Sequence, residues 1–343
     1  MLRKKGFILP LTIIIIFAIS ALVVRLLTRA TSLAPLQRLA LDREQAKQVA
    51  LMGVTLAQAQ LTGPFKSDKD KQAWYKAIFK NLNHWQKFDL KYEHDGIDAE
   101  IQIYISCEQG KIPINALWNF KDKKFIAAEK FDVKKNLGNL FFSNADGDRQ
   151  EGKVIDELEK TLKNFDYPLE DLTDLFVNKY FKSLASRFLP QPVTQQGSAE
   201  KPVQQMSFAD IFTTGSSELA TLQPLFLSTG VKKIFELKSV EGDDKTKEEA
   251  LKKLISGIKE SMDWKTQWDQ LLSPLYGKKY ASLPQPLTKL FAATVGASEI
   301  SVVSYGKVGN VTQKVLVFLS STPAQKSEPD GRVTYTIKKL YWL

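Results

Sequence analysis

The side chains best suited to bind a ligand lie in one polar segment and are Asn144, Asp146 and Asp148. Oxygen ligands at alternate positions suit Ca²⁺, as in the loop of an EF-hand. That loop needs glycine at its sixth position and an acidic residue at its twelfth, where this chain has Arg149 and Ile155. A polar turn before a helix is the favoured interpretation, and a Ca²⁺ site is the weaker alternative.

The sequence contains no motif that is typical of an enzyme active site. His84 and His94 are ten residues apart, which is not a metal-ligand spacing. The chain has no Gly-x-Ser-x-Gly, phosphate-binding loop, dinucleotide fingerprint or His-Glu-x-x-His. Cys107 is the single cysteine, so no internal disulfide forms, and its place directly after a strand-like run predicts burial. We therefore predict that the protein is not an enzyme and needs no cofactor.

The N-terminus carries a second kind of signal. Basic residues 3–5 precede Gly6, and residues 7–24 form an apolar run that is broken only by Pro10, Thr12 and Ser20. A helix of about 20 apolar residues spans the hydrocarbon core of a bilayer. The positive-inside rule then places the N-terminus in the cytoplasm and the rest of the chain outside.

Three interpretations of this segment compete. A plain signal anchor needs only the length and the flanking charge. A cleaved secretory signal has a shorter apolar region and small residues at the cut, for which residues 18–20 (Ala-Ile-Ser) are a poor candidate. The third interpretation uses Gly6 at the boundary between charge and apolarity, followed by Phe7. This arrangement resembles the leader of type IV prepilins, which a dedicated peptidase cuts after the glycine. The resemblance implies cleavage between Gly6 and Phe7, with the apolar segment kept as anchor.

One departure from the pilin pattern concerns position in a filament. Most pilins have a glutamate at the fifth mature residue, which pairs with the terminal amine of a neighbouring subunit, and an unpaired carboxylate in the bilayer is costly. Counting from Phe7, the fifth residue here is Leu11. A subunit with nothing above it has no amine to pair with. Leu11 therefore points to a tip or initiating position.

Composition fits an exported, folded chain. The 343 residues are 43% hydrophobic and include 20 Phe, which is enough for a sizeable core. The net charge is +10, but the 48 basic residues are spread along the chain. A nucleic-acid footprint would cluster them on one element, so we predict no nucleic-acid partner.

The patterning predicts an ordered series of elements. A helix continues from the apolar run to residue 61, with a bend at Pro35, a stop at residues 62–64 and a packing face of small and apolar residues: Leu36, Leu39, Ala46, Val49, Ala50, Gly53, Leu56, Ala57 and Gln60. A short helix at 72–85 and a hairpin of strands 88–93 and 97–106 around an Asp-Gly turn follow. Further helices are predicted at 152–165, 169–188, 208–213, 246–262 and 264–272, with a loop at 189–205. Strands are predicted at 300–305, 311–319 and 333–342, with a turn at 306–310.

A second resemblance lies after the hairpin. Residues 110–117 read Gly-Lys-Ile-Pro-Ile-Asn-Ala-Leu and follow the acidic Glu108. They resemble an element of the K subunit, the large minor pseudopilin of type II secretion systems, which has Asn where this chain has Pro113. That family also lacks the buried glutamate and carries a helical domain inserted into the pilin sheet. Some members bind calcium through acidic residues of the insert, but the signature of that site is not recognisable near residues 175–180.

The resemblance implies an α+β fold, in which a long N-terminal transmembrane, pilin-type helix packs on an antiparallel sheet with a large, mainly helical insertion. The predicted divisions are a cytoplasmic leader (1–6), the long helix (7–62), the first part of the sheet (63–119), the insert (120–287) and the closing strands (288–343). The implied function is to initiate or cap a periplasmic pseudopilus, with other minor pseudopilins and the prepilin peptidase as partners. The protein would cross the inner membrane once, with its bulk periplasmic. A minor pilin of a type IV pilus, or a signal-anchored binding or enzymatic domain, is the alternative.

Overall fold

The longest element is α1, a helix of 54 residues that spans Ile8–Leu61 and includes Pro35. A computed structural model describes residues 8–65, 67–91, 98–126, 153–191, 207–215, 221–237, 244–259, 261–283, 288–322 and 332–343. At 1.5 Å per residue, α1 is about 80 Å long. The helix therefore extends far beyond the sheet on which its second half lies.

Among the described side chains of α1, burial begins at Ala46. From there small residues face the sheet, and Ala50, Gly53 and Ala57 are buried. The predicted packing face also included Leu36 and Leu39, and this part of the prediction is wrong because both side chains are exposed. The physical reason is that the sheet does not reach that level of the helix, so the helical spacing of apolar residues continues without a partner inside the described chain.

The sheet has six strands in the order β1-β10-β9-β8-β3-β2. All neighbours are antiparallel, and the bounds are β1 Gly63–Pro64, β2 Trp85–Lys91, β3 Asp98–Cys107, β8 Glu299–Val308, β9 Val311–Thr322 and β10 Arg332–Trp342. Strands β3 and β8 lie side by side although nearly 200 residues separate them, with Ala99 opposite Val308 and Cys107 opposite Ile300. The C-terminal strands thus complete a sheet that the N-terminal strands begin, and the predicted α+β class is confirmed.

The chain between β3 and β8 is built mainly of short helices. They are α3 Ile114–Leu117, α4 Lys153–Leu162, α5 Lys179–Ser183, α6 Ala185–Phe188, α7 Thr229–Ile234, α8 Asp244–Gly257, α9 Trp264–Leu271 and α10 Ser273–Tyr276. Short strands accompany them: β4 Ile112–Pro113 pairs in parallel with β7 Phe212–Thr213, and β5 Trp118–Asn119 pairs with β6 Lys124–Phe125. Tight 3₁₀ turns occupy Glu108–Gly110, Leu172–Val177, Phe208–Asp210, Pro224–Phe226 and Tyr280–Ser282.

Several predicted bounds are wrong. The helix predicted at 72–85 is α2, Asp68–Asn81, because Ser67 and Asp70 form a capping box that starts it earlier, and Trp85 already belongs to β2. Residues 208–213 form a 3₁₀ turn and strand β7 instead of a helix, since Phe212 and Thr213 pair with β4. The helix predicted at 169–188 is divided at Asn178, whose side chain caps α5. The turn predicted at 306–310 is confined to Gly309 and Asn310.

Candidate functional site: an assembly helix and a buried ionic junction

Of the predicted cleavage, filament-position and metal-site residues, Leu11 alone belongs to the described part of the chain. Gly6 and Phe7 lie outside the described residues, as do Asn144, Asp146 and Asp148. Leu11 lies in the first turn of α1. Within the described part of the chain, no group of three His, Cys, Asp or Glu side chains is placed to hold a metal ion.

Of the two histidines, His84 lies in the described part of the chain. His84 is exposed, and its Nδ1 lies 3.0 Å from the carbonyl oxygen of Leu82, just before strand β2. His94 lies outside the described residues. The structure therefore gives His84 a local contact with the backbone and brings no second described histidine to it.

The first half of α1 is an apolar rod without a partner in the described chain. The segment Thr12–Arg29 has a mean hydropathy of 2.1, is 18 residues long and has none of its residues buried. By length and composition it is able to cross a membrane. Exposed leucines continue beyond it at Leu33, Leu36, Leu39 and Leu41. The exposed apolar surface of α1 therefore extends beyond Thr12–Arg29.

The second half of α1 lies directly on strand β8. A Cβ added to Gly306 would stand 2.3 Å from the carbonyl oxygen of Ala46 and 2.3 Å from the backbone nitrogen of Ala50. The hydroxyl of Ser304 donates a hydrogen bond of 2.8 Å to the carbonyl oxygen of Ala50. On the helix, Gly53 allows the same close approach to Ser304. Gly306 on the sheet and the small residues Ala46, Ala50 and Gly53 on the helix bring the two backbones into contact and hold the helix on the sheet.

An ion pair is buried where the sheet meets the insert. Glu108 and Lys111 are both 4% exposed and form a salt bridge. The ammonium of Lys111 also donates to Ser301 Oγ at 3.0 Å, and the hydroxyl of Thr213 donates to Glu108 Oε2 at 2.6 Å. Two buried charges need such additional hydrogen bonds, because their mutual attraction alone seldom offsets the loss of water. The pair links three parts of the chain: residues 108–111, strand β7 and strand β8.

Asn115 extends this junction into the insert. Its Nδ2 donates to the carbonyl oxygens of Leu169 and Thr214, both at 2.9 Å, and its Oδ1 accepts from the backbone N–H of Leu169 at 2.9 Å. Pro113, which departs from the family pattern, lies in β4, and the neighbouring Ile112 N–H donates to Ile211 at 2.8 Å. This two-residue strand loses one backbone donor at Pro113 and keeps its pairing with β7.

Gly110 has a steric role in the same segment. A Cβ at this position would lie 1.9 Å from the carbonyl oxygen of Phe226 and 2.6 Å from its carbonyl carbon. Backbone atoms cannot yield as the end of a flexible side chain does, so only glycine fits. The resemblance at residues 110–117 thus corresponds to a structural junction, in which each of Gly110, Lys111 and Asn115 has its own contact.

Two further buried groups neighbour the junction. Cys107 is buried as predicted, and burial raises the pKa of its thiol to about 12, which leaves the thiol protonated. Burial also raises the pKa of Asp210, although the Tyr104 hydroxyl donates to Oδ1 at 2.8 Å and the Gly230 N–H donates to Oδ2 at 2.5 Å. Sequence analysis missed Asp210, since a single aspartate in an apolar segment gives no signal before Tyr104 and Gly230 are brought to it.

A cleft of about 350 Å³ separates the sheet from the insert on the face opposite α1. Its walls are mainly aromatic and aliphatic, with Phe176 and Phe188 from the insert and Leu316 and Phe318 from β9. The charged groups at its floor, Glu108 and Lys111, pair with each other. The arrangement fits packing between two layers better than the positioning of a nucleophile and a base.

A likeness to known proteins is found at the level of structure. No protein-family model and no curated protein matches the chain. The chain is similar to a chain in the crystal structure of the GspK-GspI-GspJ complex from the type 2 secretion system of enterotoxigenic Escherichia coli. The match covers 92% of this chain and 99% of that chain, at 12% sequence identity and a TM-score of 0.39.

Proposed function

We propose that this protein is a minor pseudopilin of a type II secretion system and acts by packing, without catalysis. The observation that carries the proposal is the continuity of α1. An exposed apolar segment, Thr12–Arg29, passes without interruption into a second half that is fixed on a sheet through Ala46, Ala50 and Gly306. A membrane anchor that continues as one helix into the extracytoplasmic domain couples the position of that domain to the bilayer.

The proposed orientation follows from charge. Residues 3–5 are basic and precede the apolar segment, so the N-terminus stays in the cytoplasm and the bulk of the chain is periplasmic. The span crosses the inner membrane once. The exposed leucines beyond the span (Leu33, Leu36, Leu39 and Leu41) are then available to helices of other minor pseudopilins.

The proposed position is the tip of the pseudopilus. Leu11 cannot pair with the terminal amine of a subunit above it. The chain between β3 and β8 adds a large set of helices beyond the sheet, and such bulk is more easily accommodated at an end than within a shaft. At the tip, the protein would initiate or cap the filament together with other minor pseudopilins.

The first prediction concerns processing. Co-expression with a prepilin peptidase is expected to remove residues 1–6 and leave Phe7 at the N-terminus, which intact-mass measurement detects. Gly6→Leu is expected to block the cut, because the peptidase must fit the extended backbone closely at that point. A matched control is Gly296→Leu, which leaves residues 1–7 unchanged and should still be cut. A mass that the peptidase leaves unaltered contradicts the family assignment.

The second prediction concerns stoichiometry. In the assembled complex we expect one copy of this protein for each copy of the other minor pseudopilins, located at one end by labelling. Leu11→Glu is expected to lower the amount of membrane-inserted subunit, since its carboxylate has no amine to pair with in the bilayer. Ile15→Glu, one turn later, controls for the cost of any carboxylate at that depth. Many copies along a shaft, or better assembly of the Leu11→Glu protein, would contradict the tip position.

A further inference from the structure

The second half of β10 presents an apolar face to solvent. Ile337, Leu340 and Trp342 are 48%, 37% and 43% exposed. Their partners on β9 are Leu319, Val317 and Val315, which are buried. Side chains of directly opposed residues in a sheet lie on the same face. The three exposed residues of β10 therefore lie on the face of the sheet that α1 covers elsewhere.

Charged residues of β10 point away from this face. Lys338 pairs with Glu299 at 2.9 Å, and the ammonium of Lys339 donates to the carbonyl oxygen of Glu170 at 2.9 Å. Both contacts lie on the side of the insert. The lysines of β10 thus point to the insert, and its apolar residues point to the face on which α1 lies. Such a pattern indicates that both faces of the strand are covered, but the described chain covers only the face toward the insert.

Within the described residues, this face is left uncovered because α1 crosses the sheet obliquely. Near its end the helix lies over the start of β10, where the Gln58 amide donates to the carbonyl oxygen of Tyr335 at 2.9 Å. Farther from that end, Ala46 and Ala50 rest on Gly306 of β8. Helix and strand β10 therefore diverge toward Trp342. We call the gap bounded by α1 and by Ile337, Leu340 and Trp342 the β10 wedge.

The dimensions of the β10 wedge match a helix. Strand β10 is two strands away from β8, which at about 4.8 Å per strand gives about 9.6 Å. Packed helices have axes about 8–10 Å apart. A second helix lying beside α1 would thus lie directly over β10. The exposed stretch from Ile337 to Trp342 is about 17 Å long, which corresponds to about 11 helical residues.

The flank of α1 beside the wedge carries an exposed leucine at Leu51 and another, closer to the membrane, at Leu33. Leu51 is 38% exposed, and it lies about two helical turns before Gln58, the residue that contacts β10. Leu33 precedes Leu51 by 18 residues, or about five turns, and so lies on the same side of the helix. Glu44 and Lys47 on this flank neutralise each other at 2.6 Å. A helix that lay in the wedge and ran parallel to α1 would therefore contact Leu33 near the bilayer.

We infer that the β10 wedge receives the N-terminal helix of a different pilin-like subunit, which lies along α1 and covers Leu340 and Trp342. The inference rests on the proposed function and adds to it the surface of this protein that the partner occupies. Two other occupants of the β10 wedge are the alternatives: a strand of a partner that pairs with the open edge of β10, and a second copy of this chain. The spacing of about 9.6 Å between β8 and β10 favours the helix.

Photocrosslinking on the full chain in membranes tests the inference. Benzoylphenylalanine is placed separately at Leu340, at Leu33 and at Val177, an apolar residue of the insert that is 70% exposed, and the chain is co-expressed with the other pilin-like subunits of its own source. The expected adducts at Leu340 map by mass spectrometry to the N-terminal helix of another subunit, and adducts at Val177 are at least tenfold fewer.

The outcomes separate the inference from the proposed function. Adducts at Leu340 with a strand of the partner, with a second copy or with this same chain overturn the inference. If Leu33 forms adducts with a pilin-like subunit and Leu340 forms none, the inference about the β10 wedge is wrong, and the proposed function is still supported. No adduct with a pilin-like subunit at either position overturns both.

A substitution gives a second measurement. Leu340→Glu is expected to lower the co-purified partner at least tenfold, whereas Val177→Glu, which places the same charge on an exposed apolar site, leaves it unchanged. Because Leu340 is an exposed side chain, the variant should keep the thermal unfolding temperature of the parent protein. An equal loss with both variants, or none with Leu340→Glu, overturns the inference.

Discussion

Replacement of Lys111 by methionine is expected to lower the free energy of unfolding by about 3–5 kcal/mol, the usual cost of removing one partner from a buried ion pair. The variant leaves the carboxylate of Glu108 4% exposed, with the Thr213 hydroxyl as a donor and without its cation. The measurement is urea unfolding followed by tryptophan fluorescence. It uses a chain that begins at Arg29, which retains every buried residue of α1, since burial starts at Ala46.

Two further variants show whether the loss comes from the buried pair. Glu108→Gln combined with Lys111→Met removes both charges and should recover much of the loss, because no charge is then left without its partner. Lys338→Met breaks a pair of similar length, 2.9 Å to Glu299, in which the lysine side chain is 55% exposed. Such surface pairs contribute at most about 1 kcal/mol. Equal losses from Lys111→Met and Lys338→Met would show that the junction is not held by its charges.

Replacement of Gly306 by alanine is expected to lower the free energy of unfolding of the same protein by about 3 kcal/mol or more. Overpacking a core usually costs about 1–3 kcal/mol. The added Cβ would lie 2.3 Å from two backbone atoms of α1, where real contacts exceed 3.0 Å. To relieve the clash, the helix would have to move away from β8 and break the hydrogen bond from Ser304 to Ala50. Gly306→Val, with a larger side chain, should be worse.

Gly296→Ala is the matched control for this experiment. A Cβ at Gly296 would meet no atom within 4 Å, and the residue does not have the positive φ that favours glycine. The substitution should be neutral or stabilise the protein by about 0.4–1 kcal/mol through the entropy of the unfolded chain. If Gly306→Ala were as mild as Gly296→Ala, the direct contact between helix and sheet would not exist.

The spacing of apolar and polar residues along the sequence was enough to predict the helices and strands that depend only on residues close together in the chain. Uninterrupted apolarity over residues 7–24 and helical spacing to residue 61 predicted a long helix, which is found as Ile8–Leu61. Alternation predicted the strands that became β2, β3, β8, β9 and β10, with bounds shifted by a few residues. The burial of Cys107 followed from its place after such a strand. Periodicity is a property of neighbours in the chain, so it is visible without the fold.

Contacts between distant residues decided the rest. The sequence showed Gly306 as part of a turn, because nothing nearby in the chain reveals that Ala46 and Ala50 lie against it. Leu36 continues the helical pattern of the buried residues, yet it is exposed because the sheet ends before its level. Nothing in the sequence marks Glu108 and Lys111 as a buried pair, because their further partners, Thr213 and Ser301, are more than 100 residues away. The open face beside Leu340 likewise exists only because α1 crosses the sheet obliquely, and no spacing along the chain encodes the angle between a helix and a strand.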